Sequence, residues 1–112
     1  MKVQFLTKAD KKKLPELGAQ DGKVDEAIAH VKFFSPYSGW TWYCTEYDPE
    51  NKEFFGLVFG HEMELGYISL AELEEAKGPM GVQGVERDRH FKPMKLGDIK
   101  KLQQHEGQVR RY

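Results

Sequence analysis

Three groups of residues have the types and spacing to do chemistry. The first is acidic: Glu46 with Asp48, and Glu62 with Glu64 across a turn. Clustered carboxylates supply the hard oxygen ligands that hold Mg²⁺ for phosphoryl chemistry. The same residues also read as strand-end ion pairs or solvated turn charges. Glu46 stands out, because strand alternation places it on one face with Trp42 and Cys44, where a carboxylate is costly without a partner. Arg87 and Arg89 are the candidate partners.

The second group is Glu86-Arg87-Asp88-Arg89-His90. In an extended segment Glu86, Asp88 and His90 share one face, and Arg87 and Arg89 the other. Two guanidiniums on one face can grip phosphate or carboxylate. Alternatively they pin the C-terminal part of the chain to the sheet by ion pairs. The third group is aromatic: Phe34, Tyr37, Trp40, Tyr43, Tyr47, Phe54 and Tyr67, with Lys32 and His30 nearby. Single-strand binders stack bases on exposed aromatics beside positive charge, but a small domain also needs aromatics for its core.

Other constellations are missing from the sequence. Cys44 is the one cysteine, so neither an intrachain disulfide nor a cysteine-based zinc site can form, and it reads as a small core residue. His30, His61, His90 and His105 lie far apart, without a His-x-x-x-His pair or a nucleophile pattern. Gly56, Gly60 and Gly66 fall in strands or turns rather than in a phosphate-binding loop. No cofactor and no metal ligand set is expected.

The elements that must position these groups follow from periodicity and punctuation. Thr7 caps a short helix from Lys8 to about Leu14, closed by Pro15 and Gly18. Ala27–Phe34, Thr41–Tyr47, Lys52–Phe59 and Glu64–Leu70 read as four strands. Ser35-Pro36-Tyr37-Ser38-Gly39, Asp48-Pro49-Glu50-Asn51 and Gly60–Met63 are turns too short for parallel crossovers, so the strands form an antiparallel meander. Alternation assigns Ala29, Val31, Phe33, Trp42, Cys44, Phe55, Leu57, Phe59, Ile68 and Leu70 to a core face. It assigns His30, Lys32, Phe34, Tyr43, Thr45, Tyr47, Phe54, Val58, Leu65 and Tyr67 to a second, unusually aromatic face. Helices cover that second face, or a ligand does.

Ser69 begins a helix over Leu70–Lys77 with capping-box spacing to Glu72, ended by Gly78-Pro79. Val85–Phe91 is irregular or a short edge strand. Asp98–Gln104 forms a last helix, and Gly107–Tyr112 frays. The expected fold is α+β: a four-stranded antiparallel meander flanked by short N-terminal, central and C-terminal helices, in one domain over residues 1–112. Seven Phe, five Tyr and two Trp argue against disorder. A free edge at the first or fourth strand could pair across a two-fold axis, which leaves the oligomeric state open.

Charge narrows the partners. Net charge is -1, which does not fit a dedicated duplex-DNA binder. That total conceals segregation: residues 46–75 hold nine acidic groups against one Lys, whereas residues 1–13 and 86–112 are each basic by four charges. Basic ends folded together would bind nucleic acid, and the acidic centre would engage a basic protein surface. No apolar run is long enough to cross a membrane, and the N-terminus lacks the apolar stretch of a secretory signal, so a cytoplasmic location is expected.

Val31-Lys32-Phe33-Phe34-Ser35-Pro36, Trp40-Thr41-Trp42-Tyr43, Thr45-Glu46-Tyr47-Asp48, Phe54-Phe55-Gly56-Leu57-Val58, Glu64-Leu65-Gly66-Tyr67-Ile68-Ser69-Leu70, Gly78-Pro79, Glu86-Arg87-Asp88 and Phe91-Lys92-Pro93 together resemble a small bacterial family of unknown function. The resemblance covers roughly residues 3 to 96, leaving the chain after Leu96 outside the pattern. It implies a small protein of a kind often encoded on plasmids and other mobile elements, near genes for DNA handling, and it supplies no catalytic residues to carry over to this chain. The expectation is a non-enzymatic binding module that contacts nucleic acid or a nucleic-acid-handling protein. Its candidate contact residues are Lys32, Trp40, Tyr43, Tyr47, Tyr67, Arg87 and Arg89. The alternative is a metal-dependent hydrolase or nuclease using Glu46, Asp48, Glu62 and Glu64.

Overall fold

A computed structural model describes the backbone of residues 5–109 and the side chains of residues 5–103. The chain runs α1 (Lys8–Lys13), β1 (Ile28–Ala29), β2 (Val31–Phe34), β3 (Thr41–Asp48), β4 (Glu53–Phe59), β5 (Met63–Ser69), α2 (Leu70–Glu75), β6 (Glu86–Arg87), β7 (Met94–Lys95) and α3 (Leu96–Val109). Two 3-10 turns, Val24–Glu26 and Pro79–Gly81, complete it. The α+β class holds. The sheet, however, has five strands in the order β5-β4-β3-β2-β6, and β1 leaves it to form a two-stranded ribbon with β7.

Local chemistry explains the ends of these elements. Thr7 and Asp10 form a reciprocal capping box at α1, and Leu14 turns extended ahead of Pro15. At α2 only half of that device is made: Ser69 Oγ accepts from the Glu72 amide at 3.2 Å. That helix stops at Glu75, two residues before the expected end, and Lys77 instead bridges to Gln83. The last helix starts earlier and runs further than expected, through Gly107 to Val109, and residues 110–112 lie outside the described residues.

The expected sorting of side chains between the sheet faces fails in two places, each for a one-residue reason. Between Cys44 and Glu46 the β3–β4 register shifts, so that Cys44 opposes Gly56 and Glu46 opposes Phe55. Thr45 is the extra residue of this bulge, and its hydroxyl donates to Phe55 O at 3.0 Å. Because side chains alternate with period two, one inserted residue exchanges the faces beyond it. Tyr47 and Phe54 therefore lie in the first core with Cys44, and Leu57 lies in the second with Tyr43. The other exception is His30, where the first expected strand breaks. Ala29 pairs with Met94 and faces the second core, while Val31 pairs with Cys44 and faces the first.

Both faces are consequently covered. Phe5, Leu6, Leu70, Leu73 and Val85 close the first face over Phe33 and Phe54. Leu96 and Ile99, with Phe91 and Met94 beside them, close the second over Tyr43 and Leu57. The aromatic second face is thus mostly a core, and the part left open is its margin along β5.

Candidate functional site

The candidate residues fall into three situations. Some are built into the fold. Tyr43 is buried, and its hydroxyl accepts from Gln103 Nε2 at 2.9 Å. Tyr47 is buried against Phe54, with ring centroids 4.7 Å apart, and burial pushes its hydroxyl pKa up. Lys32 pairs with Asp88 at 3.4 Å and lies 5.5 Å from the Tyr43 ring centroid. Arg87 clamps Asp10 at 2.6 Å.

Glu46 is also structural, and its expected partners are wrong. Neither Arg87 nor Arg89 reaches it. Its two oxygens accept the backbone N–H groups of Gly18 at 2.8 Å and Gln20 at 2.9 Å. The bulge that turns it off the first core face aims it at this loop. Gln20 completes the junction by donating to Thr45 O and Ile28 O and accepting from the Ile28 amide. No sequence motif announces such a latch, since the loop and the strand lie 26 positions apart.

The other carboxylates do not converge. Asp48 caps its own turn, accepting from Glu50, Asn51 and the Asn51 side-chain amide. Those bonds hold its carboxyl below the usual range. Glu62 and Glu64 sit exposed at the opposite end of the hairpin. Among the described residues no three His, Cys, Asp or Glu side chains are grouped to hold a metal ion.

Arg89 and Arg87 do share a cleft, of about 310 Å³, with exposed Tyr37. β6 is only two residues long, however, and the chain turns at Asp88, whose carboxylate accepts from the His90 amide. The alternation expected over Glu86–His90 therefore does not extend along a strand.

What remains open is the β5 side of the sheet. Trp40 and Trp42, with ring centroids 6.1 Å apart, wall a cleft of about 360 Å³ floored by Val58 and Ile68 and edged by Ser69 and Glu72. Beyond it, β5 is a sheet edge without a neighbour among the described residues. Met63, Leu65 and Tyr67 are 48%, 47% and 68% exposed along it. Tyr67 rests edge-on against Phe55 at 5.3 Å, which fixes the ring while leaving one side to solvent. Glu62, Glu64 and Glu72 border this apolar row. Among the described residues the ion pairs are Lys32–Asp88, Arg87–Asp10, Lys95–Glu26 and Lys100–Asp25, and none uses a carboxylate between positions 46 and 75. The sequence alternation put Leu65 with Tyr67 on one face but left Met63 in the preceding turn, whereas β5 begins at Met63. An exposed apolar row is visible only once β5 is known to be an edge.

A family model described as "protein of unknown function (DUF2958)" matches residues 5–110. The chain belongs to that family. The match carries the family pattern past Leu96 and through α3, so the C-terminal helix is part of the shared unit and not an extension to it. That agrees with the packing, because Leu96 and Ile99 are half of what closes the second core. No curated protein and no solved structure matches the chain. Among the described residues no helix is long and apolar enough to cross a membrane.

Proposed function

We propose that the chain is a non-enzymatic binding module that engages a basic protein surface, of the kind that otherwise holds nucleic acid, through the acidic β5 side of its sheet. One observation carries this reading: Glu62, Glu64 and Glu72 are exposed around β5 and lie outside every ion pair among the described residues. Unpaired like charges repel one another, and a complementary surface relieves that repulsion while steering encounter. The exposed row Met63, Leu65 and Tyr67 supplies the apolar contact that charge alone lacks. Base stacking is less well supported, because Tyr43 and Tyr47 are buried and Lys32 and Arg87 are neutralised by aspartates. A carboxylate-metal hydrolase lacks convergent ligands, and Glu46 is already engaged by backbone donors. With the resemblance drawn from its motifs, the module reads as an accessory protein of a plasmid or mobile element acting on a DNA-handling partner.

The test compares the wild-type chain with a variant carrying Gln at Glu62, Glu64, Glu72 and Glu75, the last exposed one turn beyond Glu72 on α2. Affinity capture from the native host with mass spectrometry should yield basic proteins that the variant loses. A labelled single-stranded oligonucleotide should show no anisotropy change at about 50 mM salt. Capture that is indifferent to the four substitutions, or oligonucleotide binding that survives them, would overturn the proposal.

A further inference from the structure

The geometry points to β5 as a strand-addition site for an extended partner segment that alternates apolar and basic residues. This deepens the docking role proposed above and rests on it. The backbone carries the first part of the argument. Leu70 donates to Lys52 O and Gly60 to Glu62 O, which fixes the phase of the β4–β5 ladder. In an antiparallel pair, hydrogen-bonded positions alternate with outward-facing ones. Positions 64, 66 and 68 therefore bond to β4, while the N–H and C=O groups of Met63, Leu65 and Tyr67 point away from the sheet.

Edges of this kind are normally blunted by charged side chains, Lys above all, or by Pro, a bulge or shortness. β5 carries one charge, Glu64, but it is seven residues long, holds neither Lys nor Pro, and pairs with β4 without a register shift. The residues with outward backbone groups are also those with exposed apolar side chains. An added strand would thus gain main-chain bonds and apolar contact from the same three positions.

The two faces of the edge specify the partner's pattern. Met63, Leu65 and Tyr67 lie on one face, and an incoming strand would place apolar residues beside them. Glu64 lies on the other face, with Glu62 in the adjoining turn and Glu72 at the start of α2. The partner's alternate residues meet these carboxylates and are therefore Lys or Arg. Gly66 sits between them with no atom within 4 Å of where its Cβ would be, leaving room for a long basic side chain to lie across the strand. Charge selects this occupant over a second copy of the chain. Antiparallel self-pairing would bring Glu62, Glu64 and Glu72 of both copies together, and like charges across a strand pair repel.

The test uses a capped peptide of about eight residues alternating Lys and Val, enough to run the length of an ordinary strand, with the full chain at low salt. Two further peptides carry N-methyl groups on either the Lys or the Val amides. A strand presents alternate amides to its neighbour, so one methylated set should lose binding by about tenfold or more. The other set should bind like the parent, and hydrogen exchange at Leu65 and Tyr67 should slow on peptide addition. Leu65→Pro should weaken binding without unfolding the chain, because its N–H is not part of the β4 ladder. Equal binding by both methylated peptides, or binding without slower exchange at Leu65 and Tyr67, would overturn strand addition. Carboxylate-dependent capture of host proteins would then keep the docking role intact. Exchange protection of β5 that grows with protein concentration and without peptide would assign the edge to a second copy and also overturn the proposal.

Discussion

Arg87 grips Asp10 with two parallel bonds, Nη1 to Oδ2 at 2.6 Å and Nη2 to Oδ1 at 3.1 Å, across a separation of 77 positions. Nη1 also donates to Phe5 O at 2.9 Å. The guanidinium thereby ties the N-terminal segment and α1 to the short edge strand β6. Asp10 serves twice, since the same carboxylate accepts the Thr7 amide and caps its own helix. The two basic ends of the sequence meet here through an acid that neutralises part of their charge, which is one reason the fold does not present a simple basic face.

The first prediction concerns that carboxylate. Burial alone would raise its pKa, but the bonds from Arg87 and Thr7 outweigh it and hold the group at about 2, against 3.8 for the free side chain. A depressed folded-state pKa stabilises fully above the unfolded value and is lost as pH falls from there through the folded one. Asp10→Asn should therefore cost about 2 kcal/mol near neutral pH, since it leaves a partly buried guanidinium without its counter-charge. The gap to wild type should close as the solution approaches about pH 2. Urea titrations across that window measure it, and a gap independent of pH would contradict the assignment.

Glu46 gives the second prediction. It is 3% exposed, and among the described residues its two oxygens meet the backbone donors of Gly18 and Gln20. Glu46→Gln keeps one acceptor and turns an NH₂ group toward an N–H, so it should cost about 2 kcal/mol. Amide exchange at Gly18 and Gln20 should accelerate in the variant more than exchange in β4. Unchanged stability and exchange would show that the latch contributes nothing.

How much of this was legible beforehand divides along a physical line. Features decided within a few residues were readable: the Thr7 and Ser69 caps, the hairpin turns, and most strands to within about two residues. Features decided by register were not. One inserted residue at Thr45 exchanges the faces expected for Phe54 and Leu57, and nothing in their own local sequence shows it. Charge segregation was readable and survives folding as acidic groups outside the ion pairs. Which carboxylates were structural was not, because Glu46 finds its donors in a loop that no periodicity describes.

Cys44 supplies a third prediction. The thiol is buried between Val31 and Gly56 in the sheet, and burial pushes its pKa well above the ordinary range, only weakly opposed by the charge of Arg87. Thiolate is the reactive form, so a buried neutral thiol should label only when the sheet opens. The reaction with an aromatic disulfide reagent should be at least about a thousandfold slower in the native chain than in urea. Rapid native labelling would mean that β3 opens far more often than its packing allows.

The two glycines facing each other across β4 and β5 make the sharpest contrast. Gly56 pairs with Gly66, yet their surroundings differ completely. A Cβ on Gly56 would be driven into Tyr43 O and would lie 2.9 Å from Cys44 Cα. Those are backbone atoms of the neighbouring strand beside its bulge, and they cannot rotate away. Gly56→Ala should therefore cost about 3 kcal/mol or more, as overpacking against a fixed backbone does. A Cβ on Gly66 meets nothing within 4 Å. Gly66→Ala should leave stability within about 0.5 kcal/mol of wild type or raise it slightly, because alanine restricts the unfolded chain. Thermal denaturation of both variants measures the contrast. Equal destabilisation would show that Gly66 is required by the fold itself, and the open space beside it would then no longer point to a partner.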